Sequence, residues 1–347
     1  MKKLTLRLFG VATLVSVVQC VFVGVVLAQG LGGAGTIQGI VKDPTGGVMQ
    51  SVQVAIRNPV SGFTRTTTTD AAGKYVLSNL PPNPYRISVE AQGFERLERD
   101  VDVRTGVPIT LDLTLALAGA TTAVDVVGHA QDLLERDPTA HTDRDQGFIG
   151  KLLSETSGGV NQIITLASPG VVADSNGFFH PIGDHAQTQF SIDNQPVTDQ
   201  QSRLYSNQIS QDAIQSMEII TGVAPAEYGD KSSLVVHIIT KSGLDSAKPT
   251  GGLSFGYGSF KTPTADVSVG GGSHTVGNFL SLSATRTDRF LDPPEFQALH
   301  DTGHKVSFFD RLDARTGETG TFHLNLQAAR SSFDVPNTFD ADALSQA

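Results

Sequence analysis

Hydrophobic and polar positions change their spacing several times along the chain, and each change marks a new unit. Between Ile37 and Leu117 apolar residues alternate with polar ones in the short runs IQGIVK, SVQVAIRN, FTRTTTT, GKYVLSN, YRISVE, RDVDVR and ITLDLTLAL. In SVQVAIRN, Val52, Val54 and Ile56 take one face and Gln53 and Ala55 the other, the period-two pattern of a half-buried strand. Asp43-Pro44-Thr45-Gly46-Gly47, Asn58-Pro59, Asp70-Ala71-Ala72-Gly73 and Leu80-Pro81-Pro82 separate the runs with residues that accept a positive φ or fix φ where the chain reverses. Strands so closely spaced predict a small β-sandwich over 36–118.

The stretch from Ala120 to Asp145, ATTAVDVVGHAQDLLERDPTAHTDRD, is a short apolar segment followed by a charge-mixed run, which reads as a linker over 119–145 with Asp143, Arg144 and Asp145 as solvated surface. Ile149 to Leu153 and Val160 to Ala167 carry helical spacing, split by Ser157-Gly158-Gly159 and closed by Ser168-Pro169-Gly170. Strand-like runs follow at Gln189 to Ile192, Ser216 to Thr221 and Leu234 to Thr240, so 146–245 forms a compact α+β unit.

Beyond Lys248 the runs lengthen. Leu253, Phe255 and Tyr257 alternate with Ser254 and Gly256; Val267 and Val269 alternate with Asp266 and Ser268; Phe322, Leu324, Leu326 and Ala328 alternate with His323, Asn325 and Gln327. Segments of about ten residues with one apolar and one polar face are the pattern of transmembrane β-barrel strands. Five are expected, at Thr250 to Gly258, Pro263 to Gly271, Val276 to Arg286, His304 to Arg315 and Gly320 to Ser331. A closed barrel needs at least ~8, because an open edge in lipid leaves backbone groups unpaired. The 250–347 region is therefore expected to be the start of a barrel, and DVPNTFDADALSQA lacks the terminal aromatic residue usual for a last barrel strand. The fold class that results is mainly β: a small β-sandwich, an α+β unit, and the first strands of an antiparallel transmembrane β-barrel.

The N-terminus adds a location. Lys2, Lys3 and Arg7 precede an apolar run from Leu8 to Leu27 that exits through small Ala28, the order of a secretory signal over 1–28. Its length leaves an uncleaved membrane anchor as the alternative. The single cysteine, Cys20, lies within the signal. Cleavage would leave a cysteine-free exported chain whose formal charge moves from −10 to −13, against a nucleic-acid partner.

The residues GTIQGIVKDPTGGVMQSVQVAIRN and TDAAGKYVLSNLPPNPYRISVEAQGF, with Asp70, Gly73, Tyr75, Leu80, Pro82, Tyr85 and Gly93-Phe94 in their spacing, resemble the carboxypeptidase regulatory-like domain. That resemblance implies a transthyretin-like β-sandwich as an accessory domain, and no H-E-x-x-H follows, so no peptidase activity is implied. Further on, FSIDNQPVTD and SMEIITGVAPAEYGDKSSLVVHIITKSG are similar to the plug of TonB-dependent outer-membrane receptors, through Glu218, Gly222, Pro225, Tyr228-Gly229, Ile238 and Thr240-Lys241-Ser242-Gly243. Asn194 departs from the family's Gly after Asp193, and Ile182 stands where Arg is common.

What the resemblance implies is an outer-membrane transporter for a scarce nutrient such as a glycan or siderophore, with plug and N-terminal domain facing the periplasm. Its partners would be a periplasmic TonB-type energy-coupling protein, outer-membrane lipid and a small-molecule or oligosaccharide ligand. Val124, Asp125, Val126 and Val127 stand where the family's TonB box would lie, a stretch that would pair with an edge strand of that protein; an ordinary linker strand has the same sequence character.

Ligand contacts are expected from plug loops, with Phe178, Phe179 and Tyr205 stacking on a ring and His180, Asp184, His185 and Arg203 hydrogen-bonding it. Neither FFHPIGDH nor HDTGH, with His300 and His304, offers a full metal-ligand set, so neither a metal nor a cofactor is expected. No nucleophile elbow or phosphate loop is present, and the protein is not expected to be an enzyme. His237 in the apolar run LVVHIIT is expected to hydrogen-bond rather than catalyse. The alternative reading is an exported carbohydrate-binding or adhesion protein built of β domains.

Overall fold

A computed structural model describes residues 34–59, 63–103, 108–118, 141–152, 159–174, 178–181, 188–193, 195–197, 208–222, 233–246, 248–291, 300–316 and 320–336. The signal-like N-terminus and Val124, Asp125, Val126 and Val127 lie outside these residues.

The first unit is a two-sheet sandwich. In one sheet β1 (Gly35–Lys42) lies antiparallel to β4 (Lys74–Leu80) and parallel to β7 (Ile109–Thr110) and β8 (Leu113–Thr114). The other runs in the order β3 (Thr64–Thr68), β2 (Gln53–Arg57), β5 (Asn83–Glu90), β6 (Leu97–Val103). Val54 and Ile56 are buried while Gln53 is exposed, as the alternation requires. They join Val41, Leu77, Ile87 and Val89 in one core. Each such side chain contributes roughly 1.5–3 kcal/mol by leaving water.

The turns between strands are held by aspartates. Asp43 accepts from the amides of Thr45 and Gly47 at 2.8 Å each, with Gly46 at φ 88°. Hydrogen bonds from the Thr45 hydroxyl first, then the Gly47 amide, hold the Asp43 carboxyl below its ordinary pKa. Asp70 likewise accepts from the amides of Ala72 and Lys74, at 2.8 and 2.9 Å.

One expected strand differs. ITLDLTLAL breaks into β7 and β8 because the chain leaves the β1 ladder at Leu111 and Asp112. The Asp112 carboxylate takes the Ile40 amide at 3.0 Å, and the Leu111 carbonyl accepts from the Tyr75 hydroxyl at 2.7 Å. Gly39 makes this possible, since a Cβ there would lie 1.9 Å from the Leu111 oxygen.

The second unit centres on a five-stranded mixed sheet, β13 (Gln195–Val197), β12 (Thr188–Ile192), β15 (Leu234–Thr240), β14 (Ile214–Thr221), β9 (His141–Asp145). β12 and β15 are parallel, and the other pairs are antiparallel. Buried on both faces, β15 reads as an unbroken apolar run apart from its histidine. Helix α1 (Gln146–Ile149) is a single turn ended at Gly150, and helix α2 (Gly159–Ala167) buries Val160, Ile163 and Ile164. The hairpin β10 (Val171–Ala173) and β11 (Phe179–Pro181) and a 3-10 turn at Gln211–Ala213 complete it.

β9 corrects the expectation of a linker ending in solvated charge at Asp143, Arg144 and Asp145. HTDRD lacks apolar alternation, yet its backbone pairs with β14 from His141–Ile220 to Asp145–Ser216. The Asp145 carboxylate then caps α1 by accepting the Phe148 amide at 2.8 Å.

The third unit is an antiparallel meander, β16 (Thr250–Gly258), β17 (Thr262–Gly272), β18 (Val276–Thr287), β19 (Gly303–Thr316) and β20 (Gly320–Phe333), close to the expected segments. Its register aligns Leu253, Val267, Leu282, Phe308 and Ala328 across one face. The opposite face carries Ser254, Asp266, Ser283, Ser307 and Gln327, together with Phe309 and Arg311. Leu253, Phe255 and Tyr257 are largely exposed on the apolar face, while Phe279 and Phe309 on the other join the core of the second unit.

Gly39→Ala would place a methyl group inside the Leu111 carbonyl, so β7 should separate from β1 at a cost of about 1–3 kcal/mol. Faster amide hydrogen exchange at Ile40 and Leu111 is the expected readout; unchanged exchange would show that the close approach is not required.

Candidate functional site

The three units meet at the end of β15. Asp193, at φ 48° just after β12, accepts the Thr240 amide on Oδ1 at 2.9 Å and the Thr240 hydroxyl on Oδ2 at 2.7 Å. From the polar face of the meander, Arg311 Nη1 donates to Asp193 Oδ1 at 3.2 Å, to the Thr240 carbonyl at 2.9 Å and to its hydroxyl at 3.0 Å. Asn325 Nδ2 adds a bond to Asp193 Oδ2 at 2.6 Å. Arg311 Nε pairs with Asp313 Oδ1 at 2.9 Å, and Asp313 in turn accepts from Ser242 and faces His323 Nδ1 at 2.5 Å.

Arg311, Asp193 and Asp313 are all buried, the last with no exposed surface. Charges this far from water are tolerated only when paired and fully hydrogen-bonded, which this network supplies. Its chemistry is to hold the second unit against the polar face of the third.

The sandwich touches the same residue. Asn79, at φ 57°, donates to the Thr240 carbonyl at 3.0 Å and to Gln215 Oε1 at 2.5 Å, and Gln215 Nε2 returns a bond to the Asn79 carbonyl at 2.8 Å. Beyond Thr240 the segment Lys241 to Gly243 runs tight along the meander: a Cβ on Gly243 would lie 2.3 Å from the Asn278 carbonyl. The Lys241 ammonium stands 5.6 Å from the Phe279 ring, and burial lowers its pKa, partly offset by Asp212.

Ser78 Oγ reaches Asp245 Oδ2 at 2.7 Å, and Arg315 pairs with Asp245 at 2.9 Å. Burial pushes the Asp245 carboxyl up, but bonds from Arg315 and Ser78 and the Arg315 charge outweigh it and leave the carboxyl below its ordinary pKa.

A polar cleft of about 280 Å³ opens between the 3-10 turn and the meander, lined by Gln208, Asp212, Asp266, Lys305 and Ser307 among others. Two of the expected ligand residues lie on the hairpin β10–β11. Phe178 is exposed, its amide bonded to Asp174 Oδ1 at 2.9 Å, and His180 is half-buried with its ring 3.5 Å from Asp174 Oδ2. Phe179 corrects the expectation: it is 3% exposed, with its ring 6.0 Å from that of Phe190 in the core. Adjacent strand residues point to opposite faces, so Phe178 and Phe179 cannot both reach a ligand. Asp184, His185, Arg203 and Tyr205 lie outside the described residues.

Sequence reasoning missed Arg311, Asp313 and Asn325, since in a strand they read only as polar alternation. It also missed a group formed by His141, Asp143 and Glu218, whose ligand-capable atoms all lie within 4.8 Å of one another.

The carboxypeptidase regulatory-like domain matches residues 36–116. Over 199 residues the chain is 26% identical to the TonB-dependent transporter Oar of Myxococcus xanthus, a match covering 55% of this chain and 19% of that protein. Among solved structures, the ferric enterobactin receptor of Pseudomonas aeruginosa matches at 19% identity and a TM-score of 0.44, over 57% of this chain and 34% of that one. The siderophore receptor PirA of Acinetobacter baumannii matches at 18% identity and a TM-score of 0.45, over 55% and 31%. The resemblance to TonB-dependent receptors with an N-terminal carboxypeptidase regulatory-like domain is borne out by the domain match and by Oar.

Arg311→Ala would strand Asp193 and Asp313 in the interior, and docking of the second unit should weaken by about 3–5 kcal/mol. Loss of protection at the Thr240 amide in hydrogen exchange is the expected sign, and full protection in the variant would refute the staple. A separate test concerns pH. Because the Asp245 carboxyl is depressed in the fold, its contribution is present above about pH 4, near the unfolded value, and lost as pH falls through the folded one. Proteolysis of the 241–249 segment should therefore rise under acid, and Asp245→Asn should remove that dependence.

Proposed function

We propose that this chain acts as a TonB-dependent receptor in the outer membrane, with 36–118 as a periplasmic accessory domain, 146–245 as plug and the strands from Thr250 as barrel wall. The single observation that carries the reading is the five-stranded sheet with an exposed apolar face and a polar face that grips a plug-like unit through Arg311 and Asp193. An adhesion sandwich would bury its apolar face instead. The role needs no catalytic group. It transports by plug rearrangement, powered through a periplasmic TonB-type protein that pairs with Val124, Asp125, Val126 and Val127.

The ligand is a scarce small molecule, a siderophore-like chelate or an oligosaccharide, bound from the outer side by Phe178 and His180 with Asp184, His185, Arg203 and Tyr205. The names of the similar structures favour siderophores only for those proteins, and the accessory domain favours glycans only by analogy.

Uptake by cells producing the receptor, measured over iron chelates and oligosaccharides, should require the energy-coupling protein. Uptake that persists in its absence, or a product that fractionates without detergent, would sink the reading. Phe178→Ala and Tyr205→Ala should each weaken ligand binding about 2- to 10-fold, whereas Phe179→Ala should destabilise the plug core by about 3–5 kcal/mol.

A further inference from the structure

The register of the plug sheet lines up a second constellation, away from the Arg311 network. Glu218 in β14 is the direct partner of Asp143 in β9 on one side and of His237 in β15 on the other. Directly paired residues share a face of the sheet, so Asp143, Glu218 and His237 form a row across three strands. His141, two residues before Asp143, projects from the same face. Its Nε2 is 3.8 Å from Asp143 Oδ2, and His237 Nδ1 is 3.8 Å from Glu218 Oε2. The ligand-capable atoms of His141, Asp143 and Glu218 already lie within 4.8 Å of one another. Donors sharing one ion at ~2.0–2.2 Å stand somewhat closer than that, a distance that side-chain rotation covers.

An independent observation points to a ligand there. The same face borders a cavity of about 20 Å³ between the plug sheet and the sandwich, lined by Asp143, Glu218, His237, Ser216 and Tyr85 among others. That volume suits one water or one ion. Two of its lining residues carry unpartnered polar atoms: His237 is 98% buried, and while its Nδ1 faces Glu218 its Nε2 finds no hydrogen-bond partner among the described residues, nor does the buried Ser216 hydroxyl. Buried polar atoms without partners are rare and mark a missing water or ion.

Among the described residues, the two arginines near the row are engaged elsewhere. Arg144 donates to the Ala167 carbonyl at 2.9 Å and stacks on Phe148. Arg65 is engaged with Gln215 Oε1 at 3.3 Å. Asp143 and Glu218 line the cavity opposite Tyr85 of the sandwich, whose hydroxyl donates to the Pro81 carbonyl at 2.8 Å. Asp145, further along β9, is occupied as the α1 cap.

We propose that His141, Asp143, Glu218 and His237 bind one divalent first-row transition cation of the zinc type, bridging the three strands β9, β14 and β15 beneath the sandwich. Two imidazoles and two carboxylates form the mixed nitrogen and oxygen set that such ions accept, and the two carboxylate charges match the ion. Hard cations such as Mg²⁺ prefer oxygen alone and retain water, which a cavity this small excludes. The site is separate from the transport reading: it would stand even if no ligand were taken up.

The test uses the untagged full chain in detergent, stripped of metal and titrated with Co²⁺, whose visible absorption reports nitrogen and oxygen ligation, and then with Zn²⁺ in competition. One Co²⁺ per chain, displaced by one Zn²⁺ and not by excess Mg²⁺, is the expected result. Glu218→Gln and His141→Ala should each weaken binding by at least about tenfold, while substitution of the exposed His304 of β19 by alanine, His304→Ala, should leave it unchanged. Absence of stoichiometric binding to the unsubstituted chain overturns the proposal regardless of how the variants fold. So does displacement by Mg²⁺, or a loss caused by His304→Ala equal to that of His141→Ala.

Discussion

Arg311 carries its charge into an interior that already holds two aspartates, and the rest of the architecture is arranged around that fact. Without the guanidinium, Asp193 and Asp313 would be uncompensated at depth; without them, Arg311 would be. The arginine satisfies its donors only if β12 ends where Asp193 can turn at positive φ and β15 ends with Thr240 in reach. Thr240 thus has its amide, hydroxyl and carbonyl all fixed, the carbonyl shared between Arg311 and Asn79 of the sandwich. One residue of β15 ties together the sandwich, the mixed sheet and the meander.

The interfaces differ in kind as a result. Within the first two units, burial of branched aliphatic and aromatic side chains supplies the cohesion, as in the sandwich core around Val54, Ile56 and Ile87. Between sandwich and plug the contacts are mostly amide and hydroxyl pairs such as Asn79 with Gln215 and Ser78 with Asp245. Hydrogen bonds of this sort have a net strength of about 0.5–1.5 kcal/mol each. They fix orientation while remaining far easier to separate than a core. Phe279 and Phe309 make the plug-to-meander contact more cohesive, since they enter the plug's own core.

Much of this was readable before any coordinates. The period-two alternation after Thr250 located all five strands because one face of each must be apolar for its whole length, and β15 announced itself as a strand buried on both faces. β9 did not, because HTDRD has no apolar face and is held by its backbone ladder to a strand some seventy residues later. The split between β7 and β8 depends on Gly39 meeting Leu111 across the sheet, a contact with no local signature. Phe178 and Phe179 looked equivalent in sequence, and only the placement of β11 decided which ring is core. The row of His141, Asp143, Glu218 and His237 was hidden for a related reason: its members are distributed over three strands and meet only through register. The H-x-D spacing of His141 and Asp143, on one face of any strand, was the one local clue.

β9 is an edge strand, and a load applied to the chain ahead of His141 enters the plug sheet at its margin rather than through its centre. Pulled at right angles to the ladder, the pairs from His141–Ile220 to Asp145–Ser216 would part in sequence like a zipper, at low peak force; pulled along the strand, they would shear together and resist far more. The direction of tension, not only its size, would therefore decide whether the sheet yields. At ~3.4 Å per residue, the five residues release roughly 17 Å of slack. Arg144 leaves the end of α2 as the strand goes, because its guanidinium holds the Ala167 carbonyl. The yielding of one short margin would thus reach the helix behind it while β12 and β15 stayed paired.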